Sequence, residues 1–174
     1  LFVGTEEGIQ NLEREGIEKE KCFLVGNTGI DAVQRAKSLA HRGFLKQFSL
    51  TPGAYTLATI HRSETTDVPE QLQEIISALN HAAEHLPVIL PLHPRTKKNL
   101  QRQHIPLSAN VQVIEPTGYV QFISLLTYAK FVLTDSGGVQ EESAQVNTPC
   151  LVLRNETEYT ELLRAGKIIL ASTN

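Results

Sequence analysis

Thr134-Asp135-Ser136-Gly137-Gly138-Val139-Gln140-Glu141-Glu142 is the stretch on which the reading of this chain turns. It follows an apolar run, Phe131-Val132-Leu133, that reads as a buried strand, and it leads into a segment able to be helical as far as Ala144. A strand, a polar turn with two glycines and a helix together place free backbone N–H groups at a helix N-terminus, where anions bind. The glycines allow a ligand to approach the backbone with no Cβ in the way, and Ser136 adds a hydroxyl donor. Glu141 and Glu142 need a separate reason, because acids early in the helix repel a phosphate. One of them reaching past the phosphates to a sugar hydroxyl supplies it, as the acidic residue does in dinucleotide folds. A plain tight turn, with its two acids favouring the helix dipole, remains the competing reading.

Working outward, the same alternation repeats. Apolar runs at Tyr55–Ile60, Val88–Leu92, Val111–Ile114, Phe131–Thr134, Cys150–Leu153 and Lys167–Leu170 read as strands. Between them, Val68–Glu84 carries Leu72, Ile75, Ile76, Leu79 and Ala83 at helical spacing, with Pro69 suited to a first turn. Lys97–Gln103, Tyr119–Ala129 and Glu158–Arg164 read as further helices. Strands of four to six residues alternating with helices imply an α/β fold, a parallel sheet with helices on both faces. Toward the N-terminus, Thr5 caps a predicted helix Glu6–Glu15, Cys22–Val25 reads as a strand, Gly26–Gly29 as a loop, Ile30–Leu39 as a helix and Ala40–Gly53 as a connector.

Such a sheet binds ligands beyond the carboxyl ends of its strands. His61, His93, Glu115 and Ser136 each follow a predicted strand, so four polar loops converge on one rim. Arg62 can neutralise phosphate, while His61 can donate a hydrogen bond or carry a proton near neutral pH. A loop pair with Glu64 as local counter-ion is the alternative. Pro91 and Pro94 stiffen the loop around His93, leaving it a ligand contact or a hydrogen-bonded loop histidine, and Arg95 adds charge beside it. His41, His81, His85 and His104 fall on predicted surfaces and read as solvated, and no His/Cys spacing fits a zinc site.

Bulk properties narrow the class. The chain has 174 residues, 41% hydrophobic and 20% charged, enough for one ordinary domain with a core. A net charge of −3 and a pI near 6.1 give no basic footprint for nucleic acid. No apolar run approaches the roughly 20 residues of a membrane span, and no signal peptide is recognisable. Cys22 and Cys150 lie in apolar runs and read as buried thiols, which favours a cytoplasmic setting. The start without Met, the absence of Met and the end just after a strand-like run suggest a piece of a longer protein.

In order, Gly26-Asn27-Thr28, Thr59-Ile60-His61-Arg62-Ser63-Glu64, Pro91-Leu92-His93-Pro94, Glu115-Pro116 and Thr134–Glu142 resemble the UDP-N-acetylglucosamine 2-epimerase family through nearly the whole chain. The resemblance implies a Rossmann-like sheet forming the C-terminal half of a glycosyltransferase-B-like two-domain fold. On that division, residues 1–29 end the first domain and cross over, 30–53 connect, and 54–174 form the UDP-binding domain. It also implies interconversion of UDP-GlcNAc and UDP-ManNAc by elimination and re-addition of UDP, with no cofactor, neither metal nor nicotinamide. His61 then matches a histidine implicated in catalysis, and Arg62 and His93 lie with it at the substrate. Ser136, Gly137 and Gly138 match residues that hold the diphosphate, with Asp135 a weaker neighbour. Glu142 matches the acid bound to the ribose, and Glu141 is a weaker candidate. Phe122 matches a position holding uracil partly through its backbone, or is simply core. The acids that act on the sugar come mostly from the first domain, and family members are often homodimers in polysaccharide biosynthesis. Two departures stand out. Thr65 replaces a usual Asn, which bears on loop geometry, and Thr157-Glu158-Tyr159-Thr160-Glu161 replaces Thr-Glu-Arg-Pro-Glu, which leaves open related epimerases of diacetamido sugars; hydrolysing epimerases and glycosyltransferase donor domains are separate alternatives.

Overall fold

Two short strands, β1 (Phe2–Val3) and β2 (Phe23–Leu24), pair in parallel around helix α1 (Glu6–Arg14) and form a small sheet of their own in the computed structural model, which describes residues 1–171. Thr5 caps α1, its side chain accepting from the Gly8 N–H. Helices α2 (Thr28–Leu39) and α3 (Gly43–Lys46) follow. The sequence puts the start of α2 at Ile30. It begins two residues earlier because the Asn27 side chain accepts from the Gly29 N–H and acts as the cap. The stretch expected as a bare connector contains α3, whose Leu45 is buried, and Val33 and Ala36 of α2 enter the same core.

The rest alternates: β3 (Thr56–Thr59), α4 (Ser63–Thr66), α5 (Pro69–His85), β4 (Val88–Pro91), α6 (Pro94–Gln103), β5 (Val111–Ile114), α7 (Tyr119–Tyr128), β6 (Phe131–Thr134), α8 (Gly137–Val146), β7 (Cys150–Val152), α9 (Thr160–Arg164) and β8 (Ile168–Leu170). These six strands make one sheet in the order β5-β4-β3-β6-β7-β8, with every neighbouring pair parallel. Alternate residues feed opposite faces. Leu57, Ile89 and Val132 pack with α2, α3, α7 and α8. Ala58, Leu90 and Leu133 pack with α5 and α6. All five spaced residues of α5 are buried, and each large aliphatic side chain so covered contributes about 1.5–3 kcal/mol.

Three local expectations change. α6 starts at Pro94 rather than Lys97, because proline suits the first helical position and His93 caps it. α9 starts at Thr160, two residues later than expected. Of the two free cysteines, Cys150 is buried but Cys22 only half so, because β2 is an exposed strand.

The chain runs outward from β3 through β4 to β5, and outward from β6 through β7 to β8 in the other direction. The strand order therefore reverses between β3 and β6, and the crevice for a ligand lies beyond their carboxyl ends.

Candidate functional site

That crevice is closed at its base by residues of β3, β6 and the turns after them. Thr59 and Thr134 share a hydrogen bond of 2.6 Å between their hydroxyls, and the Ser136 N–H donates to Thr134 Oγ1. Asp135 is completely buried, and its carboxylate accepts from the backbone N–H groups of His61 (3.0 Å) and Arg62 (2.9 Å). A buried charge is tolerated when its lone pairs meet donors. Asp135 therefore ties the loop after β3 to the turn after β6. Its oxygens face the protein, so it positions the site's groups and is not itself free to hold a ligand.

His61, His93 and Phe122 line one hollow of about 190 Å³, together with Pro91, Pro116 and Val139. The two imidazoles lie 6.0 Å apart. His93 Nδ1 accepts from the Arg95 N–H at 3.2 Å, so in the neutral ring Nε2 carries the proton and is the donor left for a ligand. Phe122 is half-buried and packs against the core while lining the hollow. Glu115 stays outside: it is largely exposed and pairs with Lys97 at 3.8 Å, and Pro116 lines the hollow in its place.

Helix α8 begins at this rim with Ser136 as its cap residue, and the Ser136 hydroxyl is not used on the helix itself. The first N–H groups of any helix lack intrahelical partners. The two glycines then behave differently. A Cβ on Gly138 would meet nothing within 4 Å, so this position is open to a ligand. A Cβ on Gly137 would meet Glu158 Oε1 at 2.6 Å, Tyr159 at 3.2 Å and Arg62 Nη2 at 3.3 Å. Gly137 is small because the protein's own side chains lie on it. Residues four apart share a helix face. Glu142 thus continues the open face of Gly138, and Glu141 the covered face of Gly137.

The family model described as UDP-N-acetylglucosamine 2-epimerase matches residues 1–174. The chain belongs to the UDP-N-acetylglucosamine 2-epimerase family. It is 39% identical to the UDP-N-acetylglucosamine 2-epimerase of Methanocaldococcus jannaschii over 185 residues, covering 100% of this chain and 50% of that one. It is 40% identical to the UDP-2,3-diacetamido-2,3-dideoxy-D-glucuronate 2-epimerase of Pseudomonas aeruginosa, covering 98% of this chain and 48% of that one. A crystal structure of the M. jannaschii UDP-GlcNAc 2-epimerase in complex with UDP-GlcNAc and UDP superposes with a TM-score of 0.92 at 38% identity, over 100% of this chain and 50% of that one. The chain thus spans about half the length of the relatives it matches.

Within this epimerase-family domain the remaining candidates separate. Arg62 is held over Gly137 by two carboxylates, Glu64 at 3.1 Å and Glu158 at 3.4 Å, and these raise its pKa further. Glu158 also accepts from Arg154 at 2.8 Å. Burial works to raise the Glu158 pKa, but its own backbone N–H and the two arginines bring it below the usual carboxylate value. Glu141 accepts from Asn27 Nδ2 (2.7 Å) and from the Tyr159 hydroxyl (3.3 Å), so it ties the N-terminal segment to α8. Burial lifts Glu142 above the ordinary carboxylate value; the adjacent Tyr119 hydroxyl opposes this and Glu141 adds to it. Burial and Glu142 in turn push Tyr119 up to about 12. Arg95 turns toward Asp67 at 3.7 Å, and both line a different hollow from that of His61 and His93.

Sequence reasoning did not single out Glu158 or Tyr159 as site neighbours, and it named Tyr119 and Asn27 only within the segments Tyr119–Phe122, matched to the uracil site, and Gly26-Asn27-Thr28. Glu158 and Tyr159 reach Gly137 from the segment after β7, and only the fold brings them there. For Glu158 and Tyr159 the available signal was the departure from the family pattern at Tyr159-Thr160.

Proposed function

We propose that this chain is the UDP-binding half of a non-hydrolysing UDP-GlcNAc 2-epimerase, which interconverts UDP-GlcNAc and UDP-ManNAc. The observation that carries the reading is the Asp135 clamp, which gathers the His61–Arg62 loop and the α8 N-terminus at the point where the strand order reverses. Support comes from the M. jannaschii structure, described as a complex with UDP-GlcNAc and UDP, which aligns along the whole of this chain.

In this reading the diphosphate lies over Ser136 and Gly138, where backbone N–H groups and a spare hydroxyl face it. His93 offers Nε2–H from the other side of the crevice. Arg62 supplies positive charge, and Glu142 accepts from ribose hydroxyls along the open face of α8. Uracil sits beside Phe122. Elimination leaves UDP carrying the charge released from the sugar C1, and donors aimed at that charge lower the barrier. In the same reading His61, whose backbone N–H donates to Asp135, exchanges a proton at the reacting sugar. The remaining acids come from the other half of the protein, so this chain binds UDP without turning over substrate. The complete protein is expected, on family resemblance, to be a cytoplasmic homodimer serving polysaccharide synthesis.

Calorimetry with UDP, UDP-GlcNAc and dTDP tests the reading. UDP should bind with one site per chain and dTDP more weakly, and a chain that ignores UDP at millimolar concentration overturns it. With the complete protein, UDP-GlcNAc should be consumed without an acceptor, which excludes a glycosyltransferase. Release of free ManNAc with UDP would identify a hydrolysing enzyme. The P. aeruginosa relative favours a second reading, a UDP-diacetamido-sugar substrate, which competition between the two sugar nucleotides decides.

A further inference from the structure

The last turn of α5 carries His81, Glu84 and His85 on its outer face, opposite Leu72, Ile75, Ile76, Leu79 and Ala83, which face the sheet. Positions three and four apart on a helix are neighbours, and one ligand atom from each of the three residues lies within 4.8 Å of the others. His81 Nδ1 is 3.3 Å from Glu84 Oε2, and the two imidazole rings stand edge-on at 5.4 Å. All three side chains are exposed, so rotamer changes cost little. We propose that His81, Glu84 and His85 form a chelating site for a divalent transition-metal ion such as Zn²⁺ or Ni²⁺.

Four physical points support it. The reading of these histidines as solvated, with no spacing for zinc, needs correcting at this pair: two imidazoles at i and i+4 on one helix face are the spacing with which helical zinc sites hold their metal. Zinc–nitrogen bonds of about 2.0–2.1 Å bring ligand atoms to roughly 3–3.5 Å of one another. The observed spread therefore closes by side-chain rotation, without moving the backbone. Two nitrogens and one carboxylate oxygen also suit Zn²⁺, Ni²⁺ and Cu²⁺, whereas Mg²⁺ and Ca²⁺ require mostly oxygen. Finally, the site lies at the helix C-terminus, where the partial negative charge of the unpaired carbonyls attracts a cation. The plain alternative is a surface His81–Glu84 ion pair, which contributes little.

The site is remote from the nucleotide crevice. α5 leads into the amino end of β4, whereas His93 lies past its carboxyl end, so the sheet separates the two. Coordination positions not filled by these three residues face solvent and are open to water or a ligand from another molecule. The proposal does not depend on the epimerase reading.

Titrating the 174-residue chain with NiCl₂, ZnCl₂ and MgCl₂ by calorimetry tests it. One equivalent of Ni²⁺ or Zn²⁺ should bind and Mg²⁺ should not compete. His81→Ala or His85→Ala should weaken binding by about tenfold or more, and Glu84→Gln by less, in line with the usual losses at metal sites. His41→Ala should change nothing, and UDP binding should survive in every variant. All the substituted side chains are exposed, so circular dichroism should show each variant folded. Ni²⁺ binding that persists in the His81→Ala/His85→Ala double variant, or no binding by the parent chain, overturns the proposal.

Discussion

Replacing Asp135 by Asn keeps the size of the buried side chain and removes its charge. Asp135 accepts from two backbone N–H groups, those of His61 and Arg62, at 2.9–3.2 Å. Hydrogen bonds to a charged group contribute about 1.5–3 kcal/mol each. Both N–H groups donate to Oδ2, at 3.0 and 2.9 Å, so an Asn oxygen in that place keeps both as neutral bonds, while its NH₂ replaces Oδ1 and loses the longer 3.2 Å arm from the His61 N–H. Turning two charged bonds into neutral ones, at about 0.5–1.5 kcal/mol each, lowers stability by about 1–3 kcal/mol, a large part of the roughly 5–15 kcal/mol that holds a domain together. The loss falls on the loop that carries His61 and Arg62, so the site loosens as well. UDP must then order that loop on binding, and its affinity should fall about ten- to a hundredfold, since each 1.4 kcal/mol is a factor of ten. Urea denaturation at pH 7.5 reads the first effect and calorimetry with UDP reads the second. An Asp135→Asn variant within about 0.5 kcal/mol of the parent, the range of an ordinary surface change, and with unchanged UDP affinity refutes the clamp.

The other predictions separate the roles of neighbouring residues. Gly138→Ala should gain up to about 1 kcal/mol of stability from helix propensity while weakening UDP binding, because its Cβ occupies free space where the ligand sits. Gly137→Ala should instead cost roughly 1–3 kcal/mol of stability by crowding Glu158, Tyr159 and Arg62; denaturation midpoints compare the two variants. Glu142→Gln bears on pH. The folded pKa of Glu142 is raised above its unfolded value, so the folded state takes up its proton more readily, and the charged form costs stability as pH rises through the folded pKa. The variant should therefore melt higher than the parent at pH 7.5 and equal to it below pH ~4, yet bind UDP more weakly; a melting-temperature difference independent of pH contradicts this. His93→Ala removes the cap of α6 and should cost about 1 kcal/mol in denaturation. His93→Asn should restore that stability without restoring UDP affinity, as read by calorimetry.

The sheet was legible because strands buried on both faces read as short apolar runs, and β6 falls where the run Phe131–Thr134 puts it. α5 was legible from its period, and its five spaced residues are all buried. Helix starts were less so. Asn27 stands before Thr-Gly, so nothing in the local apolar pattern announced the cap, and a histidine cap at His93 is outside the usual set of capping residues. The rim was legible because the strand-end rule needs only connectivity, and it placed His61, His93 and Ser136 on one edge. What each residue does there depends on what tertiary structure lays against it. Asp135 and Ser136 are adjacent in sequence, but one is sealed under the His61 loop and the other caps a helix at the crevice. Gly137 and Gly138 are chemically identical, and only the segment from Glu158 distinguishes them.

That distinction also bears on how an anion is held here. The cation nearest the turn, Arg62, already has Glu64 and Glu158 as partners, and Glu158 is shared with Arg154. A diphosphate arriving at Gly138 therefore meets an arginine whose charge is largely balanced, with a carboxylate one residue away over Gly137. Exposed ion pairs of this kind contribute little net attraction. Oriented neutral donors contribute more, because their dipoles need no reorganisation. On the proposed placement of UDP, the main hold on the pyrophosphate then falls to the α8 N–H groups, the Ser136 hydroxyl and His93 Nε2–H, while the Arg62 cluster fixes the loop that presents His61. Binding of UDP should accordingly depend only shallowly on salt, since screening acts on net charge and much less on dipoles at hydrogen-bonding distance.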